Sequence, residues 1–139
     1  MLSKIKILLT LLSLSLMSAC ASGPQFEKVE NVAGKALIYI YRPSTIHGSG
    51  FSPEIKINDQ SILHLVSGGY FPYFSSPGEI TISITNVGTK TITLKATSGQ
   101  TYYVRGGTIP MALGIPSIKL MPTDIGSQEI NKCKLIPRS

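Results

Sequence analysis

Few residues in this chain have types suited to chemistry. Its 139 residues include two cysteines, two histidines and seven acidic side chains. His47 and His64 stand 17 positions apart and Cys133 is remote from both, whereas zinc sites use tight spacings such as Cys-x₂-Cys or His-x₃-His. No metal and no cofactor is expected. Gly48-Ser49-Gly50 lacks the Gly-x-Ser-x-Gly spacing of a nucleophile elbow, and no helix follows it. A triad of Asp59, His64 and a serine is open to the composition, but nothing selects one. Glu54, Asp59 and Glu79 sit at strand edges or turns, where charge is the ordinary choice. No Gly-rich loop precedes a helix, so a phosphate cradle is absent. Cys133 as a nucleophile would need a neighbouring base and a lowered pKa, with only Lys132 and Lys134 beside it. The expectation is a protein that is not an enzyme, with no catalytic residue assigned.

Cys20 is the exception. Lys4 and Lys6 open the chain, and the apolar run 7–17 follows, interrupted by Thr10, Ser13 and Ser15. That is the layout of a secretory signal, with a positive start, an apolar region of about 7–15 residues and small residues before the cut. The run is too short to span a bilayer core, which needs about 20 apolar residues. Leu16-Met17-Ser18-Ala19-Cys20 resembles the lipobox of bacterial lipoproteins, with Met17 where Leu is usual. The resemblance implies cleavage between Ala19 and Cys20 and a diacylglyceryl anchor on the Cys20 thiol. Residues 1–19 are then a signal peptide. If lipid occupies Cys20, Cys133 has no disulfide partner and is either buried or a free thiol.

What remains after the cut is 120 residues, enough for one domain with its own core. The chain has 13 Lys and Arg, of which Lys4 and Lys6 leave with the signal, so 11 face 7 acids and the net charge is +4. These charges are scattered singly. Nucleic-acid binding needs them clustered on one face, so no nucleic-acid partner is expected.

Residues 20–34 read as the lipidated cysteine and a flexible tether, from Ala21-Ser22-Gly23-Pro24-Gln25 and the charged stretch behind it. The domain then occupies 35–139. Ala36-Leu37-Ile38-Tyr39-Ile40-Tyr41, closed by Arg42-Pro43, predicts a strand buried on both faces. Glu54-Ile55-Lys56-Ile57 and Ser61-Ile62-Leu63-His64-Leu65-Val66 predict a hairpin across a three-residue loop, Asn58-Asp59-Gln60. Ile80, Ile82 and Ile84 alternate with polar residues, as do Ile92, Leu94 and Ala96, so one face of each strand is apolar. With Thr101-Tyr102-Tyr103-Val104-Arg105 these predict a three-stranded meander. Pro72 calls for an edge or an irregular strand over Tyr70–Phe74.

Alternation puts Phe71 and Tyr73 on one face of that strand and Tyr70 and Phe74 on the other. One pair is expected in the core, and the cluster is the best candidate for a glycan-binding surface. The uncharged segment 106–116 reads as a loop over one end of the core, with a partner- or lipid-facing patch as the alternative. Ser117-Ile118-Lys119-Leu120 is a last strand, and a short helix capped by Thr123 or Asp124 extends to about Cys133, with Gly126 counting against it. The fold class is all-β: a single immunoglobulin- or transthyretin-like sandwich of about seven short strands with a short C-terminal helix.

Tyr39-Ile40-Tyr41-Arg42-Pro43, Ile57-Asn58-Asp59-Gln60, Gly69-Tyr70-Phe71, Pro77-Gly78 and Gly99-Gln100-Thr101-Tyr102-Tyr103-Val104-Arg105 together resemble a bacterial lipoprotein family, that of domain of unknown function 2846. The likeness runs over about residues 35–136. Its turns are also similar to those of PEGA and transthyretin-like modules, although Glu79 follows Pro77-Gly78 where the family commonly has His. The resemblance implies a lipid-anchored envelope protein with a sandwich fold and no assigned catalytic residues. Ala21, in place of an Asp after the lipidated cysteine, implies the periplasmic face of the outer membrane. The expected function is a binding or structural module whose partners are the membrane, through its anchor, and envelope proteins or glycans. The alternatives are a peptidoglycan- or lipopolysaccharide-binding module and an envelope hydrolase with atypical motifs.

Overall fold

The structure, a computed structural model, describes residues 23–45 and 48–138. Nine strands among them form two sheets. The first contains β1 (Ala36–Tyr41), β4 (Gly69–Ser75), β7 (Thr101–Thr108), β8 (Pro116–Met121) and β9 (Lys134–Leu135), in the order β8-β7-β1-β4-β9. The second contains β2 (Glu54–Ile57), β3 (Gln60–His64), β5 (Gly78–Asn86) and β6 (Gly88–Ala96), in the order β3-β2-β5-β6. A helix, α1 (Thr123–Glu129), and a 3-10 turn (Ile130–Lys132) precede β9. The chain is a β-sandwich with a short C-terminal helix. Of its nine strands only β9 lies outside the segments read as strands in the sequence; Lys134-Leu135 pairs in parallel with Gly69-Tyr70 of β4 at one edge.

β1 lies at the middle of the first sheet, and all six of its residues are buried. Ile38 and Ile40 point between the sheets, into a core with Ile55, Ile57, Ile80, Ile82, Ile84, Leu94 and Val104. Leu37, Tyr39 and Tyr41 point the other way, onto Tyr70, Tyr103, Met121, Ile130 and Cys133. A strand that is apolar on both sides needs cover on both sides. The second sheet supplies one cover, and α1 with the N-terminal segment supplies the other.

The predicted alternation of β5 and β6 holds, with Ile80, Ile82, Ile84, Leu94 and Ala96 buried. On the outer face of this pair Ser83 meets Thr91 and Thr85 meets Thr89, each hydroxyl pair 3.0 Å apart. The predicted meander stops there. β7 leaves the second sheet and pairs in parallel with β1, Tyr41 beside Arg105, so the sandwich has a mixed sheet where an immunoglobulin fold has only antiparallel ones. The β2–β3 hairpin closes through two residues, not three. Asn58 and Asp59 both adopt positive φ, 48° and 64°, the backbone of a type I′ turn whose twist matches the flanking strands. Pro72 tolerates its strand because β9 borders β4 only at Gly69 and Tyr70.

The flexible tether is also corrected. Leu135 donates its N–H to the Pro24 carbonyl and Phe26 donates to Cys133, both at 2.9 Å. The Gln25 side chain bonds the Asn131 carbonyl. Phe26 packs edge-on against Tyr39 and Tyr70, at 5.3 and 5.0 Å between centroids, and Val29 donates to the Tyr39 hydroxyl at 2.9 Å. Apolar side chains in the stretch, and backbone groups that meet the edge of β9, dock it on the exposed side of the first sheet.

Candidate functional site

The apolar run of β1 ends on Arg42, a cation only 2% exposed. A buried guanidinium is costly unless its N–H groups are satisfied. Here Nη1 donates to the carbonyls of Phe51 (2.6 Å) and Leu65 (3.0 Å), and Nη2 donates to Gly48 (2.6 Å). No carboxylate pairs with it among the described residues. Burial lowers its pKa from the ordinary value. Its stem and Nε run along Gly107 of β7: a Cβ at that glycine would stand 3.6 Å from Cγ and 3.7 Å from Nε.

Over this pair opens a cleft of about 320 Å³, bordered by Pro43, Arg105, Thr108, Ser117 and Glu129 besides Arg42 and Gly107. The strand period places Arg105 and Gly107 on the same side of β7. Antiparallel register puts Lys119 opposite Arg105 and Ser117 opposite Gly107, and directly opposed residues share a face. Gly106, between them, points inward, where a Cβ would lie 2.7 Å from Leu65.

One wall of the cleft is a hydrogen-bonded group of three residues. Arg105 Nη1 meets both oxygens of Glu129, at 3.2 and 3.0 Å. The Tyr41 hydroxyl donates to Glu129 Oε1 at 2.8 Å. Burial is the main cause of the raised Tyr41 pKa, and the bond to Glu129 adds to it. Cys133 lies beneath, 1% exposed, with its Sγ 3.7 Å from the Arg42 carbonyl. Desolvation, helped by the nearby Glu129 charge, pushes the thiol up to about 11, so at neutral pH it is a protonated core group. It is buried, as one of the two expectations had it, and its environment is the reverse of what activates a nucleophile.

A model of the family described as protein of unknown function (DUF2846) matches residues 32–112. The chain belongs to that family. No curated protein and no solved structure matches it. The match runs from just before β1 to just beyond β7, so it includes Arg42, Arg105 and Gly107 and ends short of Ser117 and Glu129. It is also shorter at the C-terminal side than the likeness over 35–136.

Cys20, Ala19 and His47 lie outside the described residues. Tyr70, Phe71, Tyr73 and Phe74 are divided between the two faces of β4 and do not share one exposed surface. Tyr70 and Phe71 are 3% and 7% exposed and belong to opposite faces of β4, Tyr70 to the aromatic layer with Tyr39 and Phe26, with the Arg138 guanidinium over the Phe71 ring at 5.4 Å. Tyr73 packs half-buried against the inter-sheet core, and Phe74 is exposed. Asp59 and His64 stand at opposite ends of the β2–β3 hairpin, since His64 pairs with Glu54 while Asp59 forms the turn; no triad joins them. His64 instead borders a groove with Ser61, Phe71 and Arg138, where His64 and Arg138 are the ionisable side chains among the described residues. No three His, Cys, Asp or Glu side chains converge as metal ligands among the described residues.

The segment 106–116 splits in two. Gly106-Gly107-Thr108 completes β7, Pro116 opens β8, and the turn between them exposes Met111 (89%) and Leu113 (85%). Positive φ at Met111 (59°) and Leu113 (50°) aims them away from the core. The cleft residues escaped notice in the sequence because Arg42 reads as the end of a strand and Gly106-Gly107 as loop. A glycine pair inside a strand was the available signal, since such positions often mark close approach by a ligand or another backbone.

Proposed function

We propose that this family member is a lipid-anchored module of the bacterial envelope, held close against the bilayer, that binds a partner rather than transforming it. The lipobox-like Leu16-Met17-Ser18-Ala19-Cys20 supports the anchor, with Ala21 favouring the periplasmic face of the outer membrane. The observation that carries the reading is the docked N-terminus. Backbone at Gly23 already abuts Leu135, where a Cβ would stand 2.9 Å from its carbonyl carbon. Only Ala21 and Ser22 separate that contact from Cys20, a reach of about 10 Å when extended. A tether that short keeps the domain at the lipid headgroups instead of letting it roam. A lipoprotein cysteine bears two or three acyl chains, and each buried methylene contributes about 0.8 kcal/mol, so the anchor is effectively permanent. The high thiol pKa at Cys133 and the separation of Asp59 from His64 support binding over catalysis.

The test is Cys20→Ser. The wild-type protein should incorporate labelled palmitate and sediment with outer-membrane vesicles. The variant should lose the label and appear unprocessed or soluble, with the thermal unfolding of its domain unchanged. A variant that remains firmly membrane-bound would overturn the anchor.

A further inference from the structure

The donors in the Arg42–Arg105 cleft outnumber its acceptors. Arg105 uses Nη1 alone on Glu129, which leaves Nη2 and Nε without a protein acceptor among the described residues. Nε of Arg42 faces Gly107 and has no hydrogen bond there. The Ser117 hydroxyl, on the face of β8 opposite Gly107, is not engaged by another described residue. The one carboxylate, Glu129, is already satisfied by Tyr41 and Arg105. Two guanidinium groups and Lys119, on the same face opposite Arg105, stand against that single negative charge. A site with unspent N–H groups, a free hydroxyl, excess positive charge and no free carboxylate selects an anion, and the planar fork of arginine matches a carboxylate in particular.

Gly107 is a second and independent sign. Its φ is not in the left-handed region that demands glycine, and glycine within a strand costs about 0.5–1 kcal/mol relative to alanine. A Cβ there would make only ordinary contacts with Arg42. What a larger side chain would do is fill the cleft. At about 320 Å³ the space is at the small end of ligand sites, suited to the end of a molecule more than to the whole of a large one.

We infer that the cleft over Gly107 binds a free carboxylate, with Arg105 and the Ser117 hydroxyl as its donors and Arg42 beneath. This rests on the binding reading above, naming the chemistry of its ligand, and it does not depend on the lipid.

The experiment titrates the mature lipidated protein, extracted in a non-ionic detergent, with trialanine, with trialanine C-terminal amide and with succinate. The readout is the backbone amide NMR signals of Gly107 and Ser117. Trialanine should shift both saturably, and its amide should bind at least tenfold more weakly. Binding by trialanine alone assigns the end of a peptide, and binding by succinate as well assigns carboxylates at large; either result sustains the inference. Gly107→Val, which fills the cleft on a strand-compatible backbone, should weaken binding at least tenfold. Arg105→Gln, at the solvent-facing rim, should do the same without unfolding the domain. Equal responses to acid and amide, or none from any carboxylate, would overturn the site even while palmitate labelling of Cys20 succeeds. Turnover of trialanine would instead overturn the binding-only function and leave the cleft standing.

Discussion

Gly126→Ala sets two effects of opposite sign against each other within α1. In an isolated helix the substitution is favourable by about 1 kcal/mol, because alanine loses less backbone entropy. In this fold Gly126 is buried, and a Cβ on it would lie 2.6 Å from Cγ of Tyr103, nearer than atoms approach without displacement. Tyr103 has nowhere to go. It is 4% exposed and stacks on Tyr39, with centroids 5.4 Å apart and planes 26° from parallel. Overpacking of this kind costs about 1–3 kcal/mol, so the packing term should exceed the propensity term by about 1 kcal/mol. For a domain of this size that lowers Tm by about 4 °C. Thermal and urea unfolding followed by circular dichroism measures it, with the exposed Gln128→Ala as a control that should stay within about 0.5 kcal/mol of wild type. The displaced helix should also carry Glu129 away from Arg105. A Gly126→Ala protein that is more stable by about 1 kcal/mol would show that propensity wins, and that α1 does not seat on Tyr103 as described.

Phe26→Ala removes the ring that joins the N-terminal segment to Tyr39 and Tyr70. A loss of about 2–3 kcal/mol is expected for this partly buried ring, together with faster hydrogen exchange at the Phe26 and Leu135 amides. Unaltered exchange there would mean the segment is held by something else. The protein should also lose stability in alkali. Cys133 is raised to about 11 by burial and by Glu129, and burial raises Tyr39, Tyr41 and Tyr103 as well. The folded state therefore holds these protons more tightly than the unfolded chain. The resulting stability is fully present below about pH 9 and is lost as pH rises through about 11. Urea midpoints at pH 8, 9, 10 and 11 should fall, and Cys133→Ala should make the fall shallower; a flat profile would refute the assignment.

Much of the sandwich was legible along the chain because its signals are local. Alternation in 80–84 and 92–96 told which side of each strand is buried, since side chains in a strand point to opposite faces in turn. The unbroken run in β1 announced cover on both sides. The candidate site was far less legible. Arg42, Arg105, Gly107, Ser117 and Glu129 come from four separate stretches, and none carries a spacing motif. Their meeting depends on β7 crossing to lie parallel with β1, a pairing that leaves no trace in the periodicity of either strand.

By itself the sequence determined that the protein is all-β and which residues line the core between the sheets. The tertiary structure alone decided that β7 pairs in parallel with β1, that residues 23–29 are docked and not free, and that Gly126 and Gly107 are placed for contact and for space. The division has a physical reason. Burial of one face repeats every second residue and is written locally, whereas parallel pairing, helix seating and clefts depend on groups far apart in the chain, whose fit is settled only when the two sheets and the helix close on β1.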